Sequence, residues 1–139
     1  MALLASFVVW GPDIRADEPR FVDLGETVFD RLTGLEWEKV PLYSFDRKWE
    51  EALLDCLKSK EAGGGWRLPN VKELYSIVEN GTVCWWNNVF QGGCNRYWTS
   101  TPVPWSLSSA FGVGFGFGFV SDDGVGGSHG VRCVRAGQK

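Results

Sequence analysis

The chain has 139 residues, 44% apolar and 22% charged, which is one domain's worth of globular sequence and fits neither a disordered tail nor a membrane bundle. Fourteen basic against seventeen acidic residues leave a net charge of −3, which argues against the basic face that nucleic-acid binding needs. Eight Trp, eighteen Gly and four Cys point instead to a loop-rich domain, packed on aromatics and stapled by disulfides.

The first ten residues, Met1 to Trp10, form an apolar run of signal-peptide length, and Ile14-Arg15-Ala16 offers a cleavage site before Asp17. No Lys or Arg precedes the run, and ten residues cannot span a bilayer. Phe7, Val8 and Val9, ended by Gly11-Pro12, read equally well as a first β-strand. Residues 1–16 are therefore a signal or a strand, and residues 17–139 a single domain. Next come the β-prone pieces Phe21-Val22, Thr27 to Phe29 and Leu35 to Trp37, separated by Gly25 and Gly34. Asp46 is placed to cap a helix whose apolar positions Trp49, Ala52, Leu53, Cys56 and Leu57 follow helical spacing up to Gly63-Gly64-Gly65. A second helix starts at Asn70, with Glu73 completing a capping box, turns Val71, Leu74 and Val78 inward, and stops at Gly81. From Cys84 onward the helical period is lost and Trp/Gly/Ser/Phe-rich strands and loops take over. The last strand, Val131 to Arg135, puts Val131 and Cys133 on one face. The order predicts an α+β domain, two helices packed on small antiparallel sheets with long loops.

Cys56, Cys84, Cys94 and Cys133 allow three pairings, and none has zinc-site or redox-motif spacing. Cys84 and Cys94 flank a short segment and are paired locally, leaving Cys56 with Cys133 over the long range. Such bridges favour an oxidising compartment, outside the cell or on its surface, with hyperthermophile interiors as the exception.

Four motifs in order, Thr33-Gly34-Leu35 with Trp37, Trp66-Arg67-Leu68-Pro69 with Glu73-Leu74, Tyr97-Trp98-Thr99-Ser100-Thr101-Pro102 and Val131-Arg132-Cys133-Val134-Arg135, resemble the Lcl C-terminal domain family. The resemblance runs from about Arg20 to Arg135. It implies a C-type-lectin-like fold, related to the formylglycine-generating-enzyme group and found in secreted or surface binding proteins. It also implies a bond from a helix cysteine to the closing strand, in agreement with Cys56 to Cys133. Trp66, Leu68, Pro69 and Trp98 read as core packing, and Arg67 as the partner of a carboxylate or of carbonyls.

Residues 106–131, SLSSAFGVGFGFGFVSDDGVGGSHGV, contain no Lys, Glu, Gln, Trp or Met. These types fill about a fifth of an average chain, so chance gives odds of roughly 0.3% for a window of that length. Every residue present has a codon ending in a pyrimidine, the mark left when the adenines of asparagine codons are randomised. The segment resembles the variable region of a diversity-generating-retroelement target protein; the other reading is a Gly/Phe-rich strand pair of low complexity. In the family pattern Ala110, Val113, Phe115, Gly118 and Val120 are framework. The expected ligand-binding set within 103–130 is then Val103, Trp105, Leu107, Phe111, Gly112, Gly114, Phe117, Phe119, Ser121, Asp122, Asp123 and His129.

Catalysis is not expected, because the only histidine, His129, stands in a Gly/Ser stretch with no local motif. No cofactor or metal is expected either. Asp122-Asp123 lacks EF-hand spacing, Trp85-Trp86-Asn87-Asn88 is only loosely like a lectin calcium element, and the glycines at 63 precede no phosphate-loop Lys. Asn80-Gly81-Thr82 fits a glycosylation sequon by letter. The expected function is display of a variable binding surface toward a protein on another cell or particle, with a glycan as second choice and no membrane span. The alternatives are a secreted lectin or glycosaminoglycan-binding adhesin and, last, a degenerate formylglycine-type oxidase.

Overall fold

The computed structural model describes residues 17–78, 89–116 and 118–137. The Met1–Trp10 run, the cleavage site, the sequon, the Trp85–Asn88 element and Phe117 lie outside them, whereas the second helix, expected to run to Gly81, already ends at Ser76.

Three short strands come first, β1 (Phe21–Asp23), β2 (Thr27–Asp30) and β3 (Leu35–Glu38), where the glycine-bounded pieces were expected. Gly34, at φ +73°, donates its N–H to the Asp30 carbonyl at 2.8 Å and closes the β2–β3 turn. The Asp30 carboxylate then holds Thr33 Oγ1 at 2.7 Å and a fork from Arg20 with both bonds at 2.8 Å. Burial opposes the charge on Asp30, but these donors keep its carboxyl below the usual range.

Strand β4 (Tyr43–Arg47) follows and was not anticipated. Asp46 lies within it at φ +71° and is not a helix cap, a correction to the expectation. Helix α1 (Trp49–Lys58) starts two residues later, from Lys48, whose backbone N–H donates to Glu51 Oε1 at 3.0 Å. Ala52 and Cys56 are buried, whereas Leu57 is 65% exposed, because only the stripe around Ala52 and Cys56 meets the sheet. The helix ends five residues before Gly63, and Glu61–Gly63 make a 3-10 turn instead. Helix α2 (Val71–Ser76) has the expected box: the Glu73 N–H donates to Asn70 Oδ1 at 2.8 Å and the Asn70 N–H to Glu73 Oε1 at 2.9 Å.

Strands β5 (Arg96–Pro102), β6 (Ser109–Gly114) and β7 (Phe119–Gly124) form an antiparallel meander. The expected single closing strand is two, β8 (His129–Val131) and β9 (Val134–Ala136), because Arg132 and Cys133 carry the chain from one sheet to the other. One sheet has the order β1-β2-β3-β9 and the other β4-β8-β5-β6-β7, an α+β architecture.

Residues paired across strands share a face, so the register assigns the layers. Tyr97 and Val113 are opposite each other and pack with Leu74 of α2, with Ile77 just after that helix, and with Val28, Trp37 and Val134 of the four-stranded sheet. Trp98, on the other face, packs with Ala52 and Cys56 of α1, with Trp66 and Leu68, and with Val131 and Cys133. The five-stranded sheet is thus covered on both sides. Cys56 and Cys133 are bonded with Cα atoms 5.6 Å apart, closing a separation of 77 residues. Cys94 is also disulfide-bonded, and its expected partner Cys84 lies outside the described residues. Among the described residues no helix is long and apolar enough to cross a membrane.

Candidate ligand-binding site

The four motifs turn out to build the frame. Arg67 exchanges backbone bonds with Val134, both at 2.9 Å, so the Trp66–Pro69 run acts as an extra rung beside β9. The Arg67 side chain points outward and forks onto Glu73, both bonds at 2.8 Å. Trp66 and Leu68 are buried, Pro69 is buried beside them, and Trp98 is fully buried with its indole N–H on the Arg47 carbonyl at 2.7 Å.

Arg132 is buried among the rings of Phe90, Tyr97 and Phe115 and donates to the carbonyls of Glu38, Lys39 and Gln91. Arg135 lies over Trp66 and reaches both Glu36 oxygens and two loop carbonyls. A cavity of about 420 Å³ opens nearby, lined by Gly25, Pro41, Glu61 and Trp66 among others, with Glu38 in its wall. Burial pushes the Glu38 carboxyl up to about 7, against the Cys133 N–H that it accepts at 2.8 Å and the charge of Arg132. Among the described residues no group of three His, Cys, Asp or Glu could hold a metal ion.

The described members of the expected ligand-binding set lie on β6, β7, the start of β8 and the 103–108 loop, but strand alternation divides them between two faces. On the α1 face, Gly114 is opposite Phe119 and Gly112 opposite Ser121. Arg96 stands beside them and was not anticipated, since it precedes the compositionally odd segment. Its guanidinium lies 5.2 Å from the centre of the Phe119 ring and 3.0 Å from Asp123 Oδ1. Ser121 Oγ donates to Asp123 Oδ2 at 2.7 Å, and His129 Nε2 is 3.5 Å from the same oxygen, its ring edge-on to Trp98. Burial, aided by Arg96 and opposed by Asp123, lowers the His129 pKa below its ordinary value. Asp123 is therefore an internal tie.

On the other face, Phe111 is directly opposite Asp122. The Trp105 indole meets the Phe111 ring edge-on, centroids 5.9 Å apart, and its N–H donates to Asp122 Oδ2 at 3.1 Å. Trp105 is 73% exposed, and Leu107 is wholly exposed at the loop tip. Phe119, on the α1 face, is 42% exposed.

Four expectations need correcting. Val103 is buried and anchors the loop, its N–H on the Ser109 carbonyl at 3.0 Å and its carbonyl accepting from Ser106 at 3.1 Å. Gly112 and Gly114 are buried as well, beneath their neighbours' side chains. A Cβ at Gly112 would collide with the Asp123 carboxylate, and one at Gly114 would lie 3.0 Å from the Phe119 ring. These three residues lie beneath the surface. Val120, assigned to the framework, is 41% exposed because β7 is the edge strand; Ala110, Val113 and Phe115 are buried, and Gly118 makes the β6–β7 turn at φ +68°.

No curated protein matches the chain. A family model, the Lcl C-terminal domain, matches residues 26–135, a stretch that includes strands β2 to β8, all but the last residue of β9, both helices and all four motifs. The chain belongs to the Lcl C-terminal domain family.

Proposed function

We propose that this protein displays a ligand-binding surface, made from the 103–130 region on a disulfide-tied scaffold of C-type-lectin-like fold, and that a retroelement rewrites this surface to meet varied protein partners on other cells or particles. One observation carries the reading. Within a segment whose residues all fit randomised asparagine codons, Ala110, Val113 and Phe115 are at most 5% exposed, whereas Trp105 and Leu107 just before and within it, and Phe119, stand in solvent. The reading is one of binding: the one histidine stands 3.5 Å from Asp123 and edge-on to Trp98, inside the sheet frame. The Cys56–Cys133 bond suits an extracellular or cell-surface location.

Sequencing the locus tests the diversification. It should hold a near-copy of the 3′ end with adenines at these codons and a reverse-transcriptase gene close by; a locus with neither removes the claim.

A further inference from the structure

Asp122 and Asp123 are neighbours in the chain with opposite circumstances. Asp123 is met by Arg96 and stands near His129, while Asp122, one residue away on the opposite face, has no cation within 4 Å among the described residues. Among the described residues its one hydrogen-bond partner is the Trp105 indole N–H, and a carboxylate has about four acceptor positions. Beside it are two aromatic faces, Trp105 and Phe111, set edge to face. The loop that presents Trp105 is held by the buried Val103, by the two backbone bonds at that residue, and by Val125 N–H on the Ser108 carbonyl at 2.9 Å. The carboxylate and both rings are thus in place before any ligand arrives.

We propose that Trp105, Phe111 and Asp122 form a receptor for one cationic side chain of the arginine type, carried by a protein partner. The proposal rests on the reading of this region as a binding surface and names the chemistry that it takes. A planar guanidinium stacks on an aromatic face and forks onto a carboxylate at the same time, which matches the three groups present. A purely apolar partner would bury the Asp122 charge without a counter-charge, at a large desolvation cost. A sulfated polysaccharide would bring anions to a carboxylate, since the nearby cation Arg96 is already engaged by Asp123.

The test is a titration of the ¹⁵N-labelled full chain with Ac-Gly-Arg-Gly-NH₂, with lysine and citrulline counterparts, reading the indole N–H signal of Trp105 assigned through Trp105→Phe. The arginine peptide should shift that signal saturably, the lysine peptide less, and the uncharged citrulline peptide least. Asp122→Asn, checked for an otherwise unchanged spectrum, should weaken the arginine response about five- to tenfold, and added salt should weaken the wild-type response. Equal shifts by arginine and citrulline, an unchanged affinity in Asp122→Asn, or a shift produced by a heparin hexasaccharide and not by the arginine peptide would each overturn the proposal. A locus with template repeat and reverse transcriptase but no arginine response would leave diversification standing and remove this receptor. The reverse pair of results would do the opposite.

Discussion

The chain carries two regions rich in charge and aromatics, one beside β9 at an edge of the four-stranded sheet and one beside β7 at an edge of the five-stranded sheet. Around β9, Arg132 and Arg135 spend their donors on carbonyls and on Glu36, and their guanidiniums rest on rings that are themselves in the core. Around β7, Trp105 and Leu107 stand in solvent and Asp122 offers an acceptor to it. Both regions are rich in aromatics and charge, so composition does not tell them apart. The difference lies in exposure: the rings under Arg132 and Arg135 are buried, whereas Trp105 and Leu107 stand in solvent beside the edge strand β7.

The disulfide gives the strongest way to break this comparison. Replacing Cys56 and Cys133 together by Ala should lower the unfolding free energy by about 4 kcal/mol on the chain-entropy account of a 77-residue separation. Chemical denaturation measures it. A loss below about 1 kcal/mol would mean that the frame holds without its staple.

Glu38 comes next and fixes a sign. Its carboxyl titrates near 7 in the fold against 4.5 for the free side chain, so the folded protein binds the proton more tightly than the unfolded one. The stability from that protonated form is complete below pH 4.5 and is lost as the pH rises to about 7. Glu38→Gln should flatten this decline and raise stability at pH 8 by about 1–3 kcal/mol. A pH profile of unfolding parallel to the wild type would contradict it.

The smallest effects sharpen the contrast within the site. Phe119→Ala removes the cover of Gly114 and the ring beneath Arg96, and should cost about 1 kcal/mol. Trp105→Ala should cost less than about 0.5 kcal/mol, since the indole is mostly in solvent. Thermal melts of the two variants rank them, and the opposite order would put the loop in the frame and the edge strand outside it.

Much of the frame was legible because local chemistry and packing agree there. Gly25 and Gly34 bound β2 as the glycine spacing said, Asn70 and Glu73 close their box, and Cys56 reaches Cys133 across the sheet. Strand β4 was not legible, since Tyr43 and Phe45 are exposed and its pairing with β8 is interrupted by a register shift. The site was legible as a region but not as a surface. Alternation marked Gly112 and Gly114 as a bare face, yet Asp123 and Phe119 fold over them from the neighbouring strand, a cross-strand effect with no trace in local order. Arg96, which holds those two side chains, precedes the segment that drew notice.

Cys133 is translated after everything from Val103 to Gly130, while Cys56 is translated before it. A copy that slips out of frame or stops early anywhere in that stretch arrives without the second thiol and without Arg132 and Arg135, so it has no clasp to fasten. Substitutions that keep the frame leave the clasp untouched. Because Cys133 follows the 103–130 region, the clasp closes only on a chain read in frame through that region.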